Sequence, residues 1–168
     1  ESPRPAPTGG DGGTPGWRQR LLRAMSFPDH SQALRFMDGV VQPAMQEVCD
    51  ELQRQGLSPG ITTGDGAERH LGLTVDLGDG QDFTYQVWPR AAITPAFAIR
   101  PHRDDAHYYQ LEVHLHEGGQ GYDLMDYSRE QIIDDIIDQY ERHLAFLERC
   151  REQSGEVMMP DRNSRIGE

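Results

Sequence analysis

Four residues of this chain are of types that bind metal ions or move protons and could stand near one another: His70, Glu112, His114 and His116. The last three lie in HYYQLEVHLH (107–116), where Tyr109, Leu111, Val113 and Leu115 alternate with polar residues. Such alternation marks a strand with one face in the core. The even positions then share the outer face, so His114 and His116 project the same way and Glu112 joins them. Two imidazoles and a carboxylate form a ligand set suited to zinc and related ions. His70 has matching parity on its own expected strand, HLGLTVDL. The plainer reading is a solvated sheet face with ordinary polar residues, on which no metal and no cofactor is expected.

The other candidates read as scaffold. Asp134, Asp135, Asp138, Glu141 and Glu148 fall on what should be the wet side of a helix, where a run of charge usually marks the solvated face. His143 sits at the edge of that helix's apolar stripe and reads as a half-buried structural residue. Neither Cys49 nor Cys150 has a histidine neighbour that would make it a nucleophile. No GxSxG, HExxH or phosphate-cradling glycine loop occurs. The chain reads as a non-enzyme.

At 168 residues the chain suits one domain with a real core. Its net charge is −12, which argues against nucleic acid and against a basic patch docked on anionic lipid. All 16 basic residues are arginine. Two cysteines are too few for a disulfide framework and fit a reducing compartment. No run approaches the roughly 18 apolar residues of a membrane span, so direct insertion is not expected. The chain opens without an initiator Met in low-complexity sequence, and reads as a piece of something longer.

The elements that would position these residues follow from periodicity. Residues 1–16, rich in Pro and Gly, read as a flexible linker, 17–152 as a single α+β domain, and 153–168 as a tail in which Val157, Met158 and Met159 could dock. WRQRLLRAM (17–25) predicts a short helix ended by Pro28. Leu34, Met37, Val41, Met45, Val48 and Leu52 form one helical stripe, capped by Asp29 or Ser31 and stopped at Gly56. Pro43 lies inside it and predicts a kink or break. Alternation then predicts strands near 58–63, 68–77, 81–90 and 107–116, with 91–106 a long connection. A Gly78-Asp79-Gly80 loop would pair Val75 with Phe83 and Leu73 with Tyr85, whereas a two-residue turn would put the apolar sets on opposite faces. Gly64-Asp65-Gly66 would by the same device bring Ile61 opposite Arg69. Ser128 to Gln131 matches a capping box. It opens a helix to about Arg151 with Ile133, Ile136, Ile137, Tyr140, Leu144 and Leu147 inward, and Ile132 at the edge. The expected fold is a two-layer α+β structure: an antiparallel meander sheet of four or slightly more strands, covered on one face by N-terminal and C-terminal helices.

Three stretches carry a resemblance to a known family: WRQRLLRAMSFPDHSQALRFMDGVVQPAMQEVCDEL (17–52), DFTYQVWPR (82–90) and GYDLMDYSREQIIDDIIDQYERHLAFL (121–147). Together they resemble, in order, the cytoplasmic C-terminal domain of BetT-type members of the betaine/carnitine/choline transporter family. The resemblance implies a regulatory domain on the cytoplasmic side of the bacterial inner membrane, tuning choline uptake under osmotic stress. It implies the transmembrane part of the same transporter as partner, and neighbouring protomers of a homo-oligomer. No choline-binding residue of the family can be carried over onto this chain. On this reading Asp134, Asp135, Asp138 and Glu141 are candidates for a regulatory surface.

Overall fold

A computed structural model describes residues 16–25, 27–78, 80–95 and 107–156. The expected docking of Val157, Met158 and Met159, and most of the linker and of the 91–106 connection, lie outside the described residues.

Helix α1 spans Trp17–Ala24 and α2 spans His30–Phe36. Asp29 caps α2: its carboxylate accepts from the Gln32 backbone, and the Gln32 side chain accepts from the Asp29 backbone, each at 2.8 Å. Helix α3 spans Gln42–Arg54. The apolar stripe runs through both: Met37, Val41, Met45, Val48 and Leu52 are buried. The break expected at Pro43 takes another form. Met37–Val41 is a π-helical turn, in which the Gln42 amide donates to the Met37 carbonyl. The extra residue absorbs the mismatch upstream, and Pro43 falls in the first turn of α3, where a missing N–H is tolerated. The stop is at Gly56, whose φ of +87° lets the Leu57 amide reach back to the Leu52 carbonyl at 3.0 Å.

Five strands follow: β1 Ser58–Thr63, β2 Leu71–Asp76, β3 Phe83–Ile93, β4 His107–Leu115 and β5 Gly118–Asp123. They form one antiparallel sheet in chain order. The β2–β3 register is the one the apolar pattern demands, with Val75 opposite Phe83 and Leu73 opposite Tyr85. At β1–β2 the expected register fails. Ile61 stands opposite Leu73, not Arg69, and the connection runs to His70, closed by the Gly64 amide on the His70 carbonyl. A short 3₁₀ turn, Gly66–Glu68, fills it, so β2 begins at Leu71. Pairing with Leu73 keeps Ile61 against the core, a stronger demand than a tight turn.

Helix α4 spans Arg129–Glu156, five residues past the expected end. Its capping box is present: the Gln131 amide donates to the Ser128 hydroxyl and the Ser128 amide to the Gln131 side chain. Helices α2, α3 and α4 lie on one face of the sheet. Tyr85, Leu71, Leu73, Leu111, Met37, Met45, Leu124, Ile132 and Ile136 form the centre of the core. The inward stripe of α4 is turned from the expected one. Ile132, Ile136, Gln139 and Leu147 are buried, Ile133, Ile137 and Tyr140 are half-buried, and Leu144 is exposed.

Candidate functional site

The open face of the sheet carries the candidate histidines, and Trp88 stands among them. Residues of β3 alternate, so burying Phe83, Tyr85 and Val87 places Gln86, Trp88 and Arg90 outward. Trp88 pairs with Glu112 across the β3–β4 ladder. The His70 ring stacks on the Trp88 indole, with centroids 4.0 Å apart and 12° between planes. The His70 Nδ1 lies 2.8 Å from the Glu68 carbonyl, which assigns a proton to that nitrogen. On the other side of the indole, His114 lies tilted with its centroid 6.2 Å away. Glu112 Oε2 is 3.6 Å from His114 Nε2 and 3.4 Å from Arg90 Nη1.

The four candidates therefore separate. Glu112 and His114 are neighbours. His70 is held on the far side of Trp88, because β3 lies between β2 and β4 and sets them two strand spacings, roughly 10 Å, apart. His116 sits at the exposed end of β4 and faces a different region. Among the described residues no three His, Cys, Asp or Glu side chains are grouped as metal ligands.

His116 lines a cleft of about 790 Å³ between α4, the start of β3 and the β4–β5 turn. Arg142, Phe146 and Arg149 of α4 line it too, with Asp82 and Glu117 opposite in charge. His143 is half-buried at its edge; its Nε2 lies 2.9 Å from the Gln81 carbonyl and its ring rests near Phe83. It holds α4 against the strand, as its place beside the apolar stripe suggests.

The acidic candidates divide as well. Asp134, Asp138 and Glu141 are exposed on α4. Asp135 is not on the wet side. Its carboxylate accepts from Tyr85 at 2.5 Å and from Tyr122 at 2.8 Å, and Gln139 donates to the Tyr122 hydroxyl. The turned stripe of α4 carries it to the sheet between Ile132 and Gln139. Burial pushes the Asp135 carboxyl above the usual range, and the two tyrosine donors only partly offset this. Burial and the neighbouring carboxylate push the Tyr85 and Tyr122 hydroxyls up, so both stay protonated donors. Sequence reasoning missed this network and Trp88. The signal for the network was the spacing 132, 135, 139, which lies on one helix face.

Of the two free cysteines, Cys49 is buried, and burial followed by Asp50 raises its thiol. That makes it inert packing.

Comparison with protein-family models finds no match. Individual relatives are clear. A high-affinity choline transport protein of Escherichia coli strain K12 is 44% identical over 150 residues, 86% of this chain and 22% of that protein. The osmo-dependent choline transporter BetT2 of Acinetobacter baylyi is 39% identical over 135 residues, 78% of this chain and 20% of that protein. A glycine betaine transporter of the same species is 42% identical over 144 residues, 83% of this chain and 21% of that protein. The chain is thus homologous to one segment of larger transport proteins. Those proteins are BetT-type choline and glycine betaine transporters, and the chain spans 20–22% of their length.

Proposed function

We propose that this chain is a regulatory domain of a choline or glycine betaine transporter, placed on the cytoplasmic side of the bacterial inner membrane. It adjusts uptake to osmotic stress and contains neither the transport path nor a catalytic site. One observation carries the reading: most of the chain aligns with about a fifth of proteins named as choline or glycine betaine transporters, one of them osmo-dependent. Among the described residues no helix is long and apolar enough to cross a membrane, which fits a part that works beside the transport path.

The partners on this reading are the transmembrane part of the same protein and neighbouring protomers of a homo-oligomer. Nucleic acid is not among them. The signal is ionic strength. The Debye length falls from ~10 Å at 0.1 M salt to ~3 Å at 1 M. A domain with net charge −12 would dock against a charged neighbour differently across that range. Asp134, Asp138 and Glu141 are the residues that meet the neighbour. The test compares choline uptake against external osmolarity for the intact transporter and for one truncated before Trp17. Basal uptake with a flattened or displaced osmotic response is expected. A full response from the truncated form would sink the proposal.

A second reading is favoured by the Trp88 platform. A flat aromatic flanked by His70, His114 and Glu112 is a surface on which a small cation could rest. Titration of choline or zinc into the protein, read by Trp88 fluorescence and repeated with His114→Ala, separates the two. Saturable binding lost in the variant would favour this module.

A further inference from the structure

Residues 12–28 contain Arg18, Arg20 and Arg23 and no acidic residue, in a chain whose net charge is −12. Helix α1 lies within this stretch. Its apolar residues Trp17, Leu21, Leu22 and Met25 are 65, 53, 72 and 63% exposed. At a helical turn of about 100° per residue they span one side of the helix. None belongs to the core or to the half-buried apolar residues packed against it. The Arg18 guanidinium lies 4.4 Å over the Trp17 ring, a cation–π contact that sets a positive charge beside the exposed apolar residues. An eight-residue helix is shorter than isolated helices that hold in water, so this face needs a partner.

We infer that α1 is an interfacial anchor, laying its Trp17–Leu21–Leu22–Met25 face into the headgroup layer of an anionic bilayer with its arginines on the lipid phosphates. Charge complementarity selects the partner. The sequence average argued against anionic lipid, but the charge of this helix is opposite to that of the chain. Arginine and tryptophan around an apolar stripe are what such helices use. A helix of two turns is also too small to fill the roughly 800 Å² that a stable protein interface takes from each partner. Repulsion of the acidic body is damped beyond a Debye length of about 8–10 Å, and α1 stands clear of that body's core. The inference rests on the transporter reading for the nearness of a bilayer.

The test is flotation of the full chain with vesicles of phosphatidylcholine, alone or with about one-third phosphatidylglycerol, at millimolar lipid and about 0.1 M salt. Three arginines at roughly fivefold each predict about hundredfold tighter binding to the anionic vesicles. Binding should weaken in high salt, weaken roughly twentyfold in Arg18→Gln/Arg20→Gln and vanish in Leu21→Asp/Leu22→Asp. Both variants keep the core, which circular dichroism would verify. Absence of flotation by the wild-type chain, or equal flotation by Leu21→Asp/Leu22→Asp, would overturn the inference. So would self-association of the chain that this variant abolishes, or a variant that lowers the melting temperature without touching vesicle binding. Vesicle binding reads α1 and osmotic uptake reads the regulatory role, so the two proposals fail separately.

Discussion

Asp135 lies in a run that reads as a solvated acidic face, yet two tyrosine hydroxyls donate to it under the sheet. Asp135→Ala leaves both donors without their acceptor, and is expected to lower stability by about 2–3 kcal/mol in urea denaturation. The charge it buries has a further consequence. Its carboxyl is raised in the folded protein, chiefly by burial. Folding therefore favours the protonated form: the contribution is complete below the unfolded value of about 3.9 and is lost as pH rises through the raised folded value. The stability of the wild type relative to Asp135→Asn should accordingly be greater at about pH 4 than at about pH 7. An unchanged difference would mean that the tyrosines fully offset burial. The site residues were only partly legible. Parity placed Glu112 and His114 on one face correctly, because alternation in β4 is strict. Parity alone does not separate His70 from them; the expected meander does, because it sets the strand of Trp88 between theirs.

At the scale of elements the apolar pattern carried most of the information. The β2–β3 hairpin could be registered because only one loop length puts Leu73, Val75, Phe83 and Tyr85 together. Its loop keeps Gly80 at a φ of +69°, and a Cβ there finds open space, so strain alone opposes substitution. Gly80→Ala should lower the unfolding free energy by roughly 1–2 kcal/mol while leaving the register intact. A loss well above that would mean that the strands slip. Strand β5 was hidden because GGQGYD offers no alternating apolar side chains. It pairs with β4 through backbone bonds around a bulge. Gly119 meets Glu112 there so closely that a Cβ would lie 2.5 Å from the carboxylate. The capping box of α4 was readable because both partners are local in sequence. Ser128→Ala should lower stability by about 1 kcal/mol. The rotation of α4 was not readable, since Ile132, Ile133, Ile136 and Ile137 offer two nearly equal apolar faces. The sheet chooses between them by supplying Tyr85 and Tyr122 for Asp135.

For the whole molecule the dominant quantity is charge. A chain at −12 repels itself, and salt relieves that repulsion over distances beyond about 10 Å at 0.1 M. The melting temperature should therefore rise as potassium chloride is increased from about 0.05 to about 1 M. Asp134→Asn/Asp138→Asn/Glu141→Gln removes three exposed charges from one helix without touching the core. It should flatten that rise. The same substitutions in an intact transporter separate a general charge effect from a docking surface. If these residues meet a neighbour, the osmolarity of half-maximal uptake shifts while the maximum is kept. If only the summed charge matters, three neutral substitutions at exposed acids elsewhere, such as Asp50, Glu51 and Asp76, shift it equally. An equal shift would remove the regulatory surface from α4 and leave ionic strength acting on the domain as a whole.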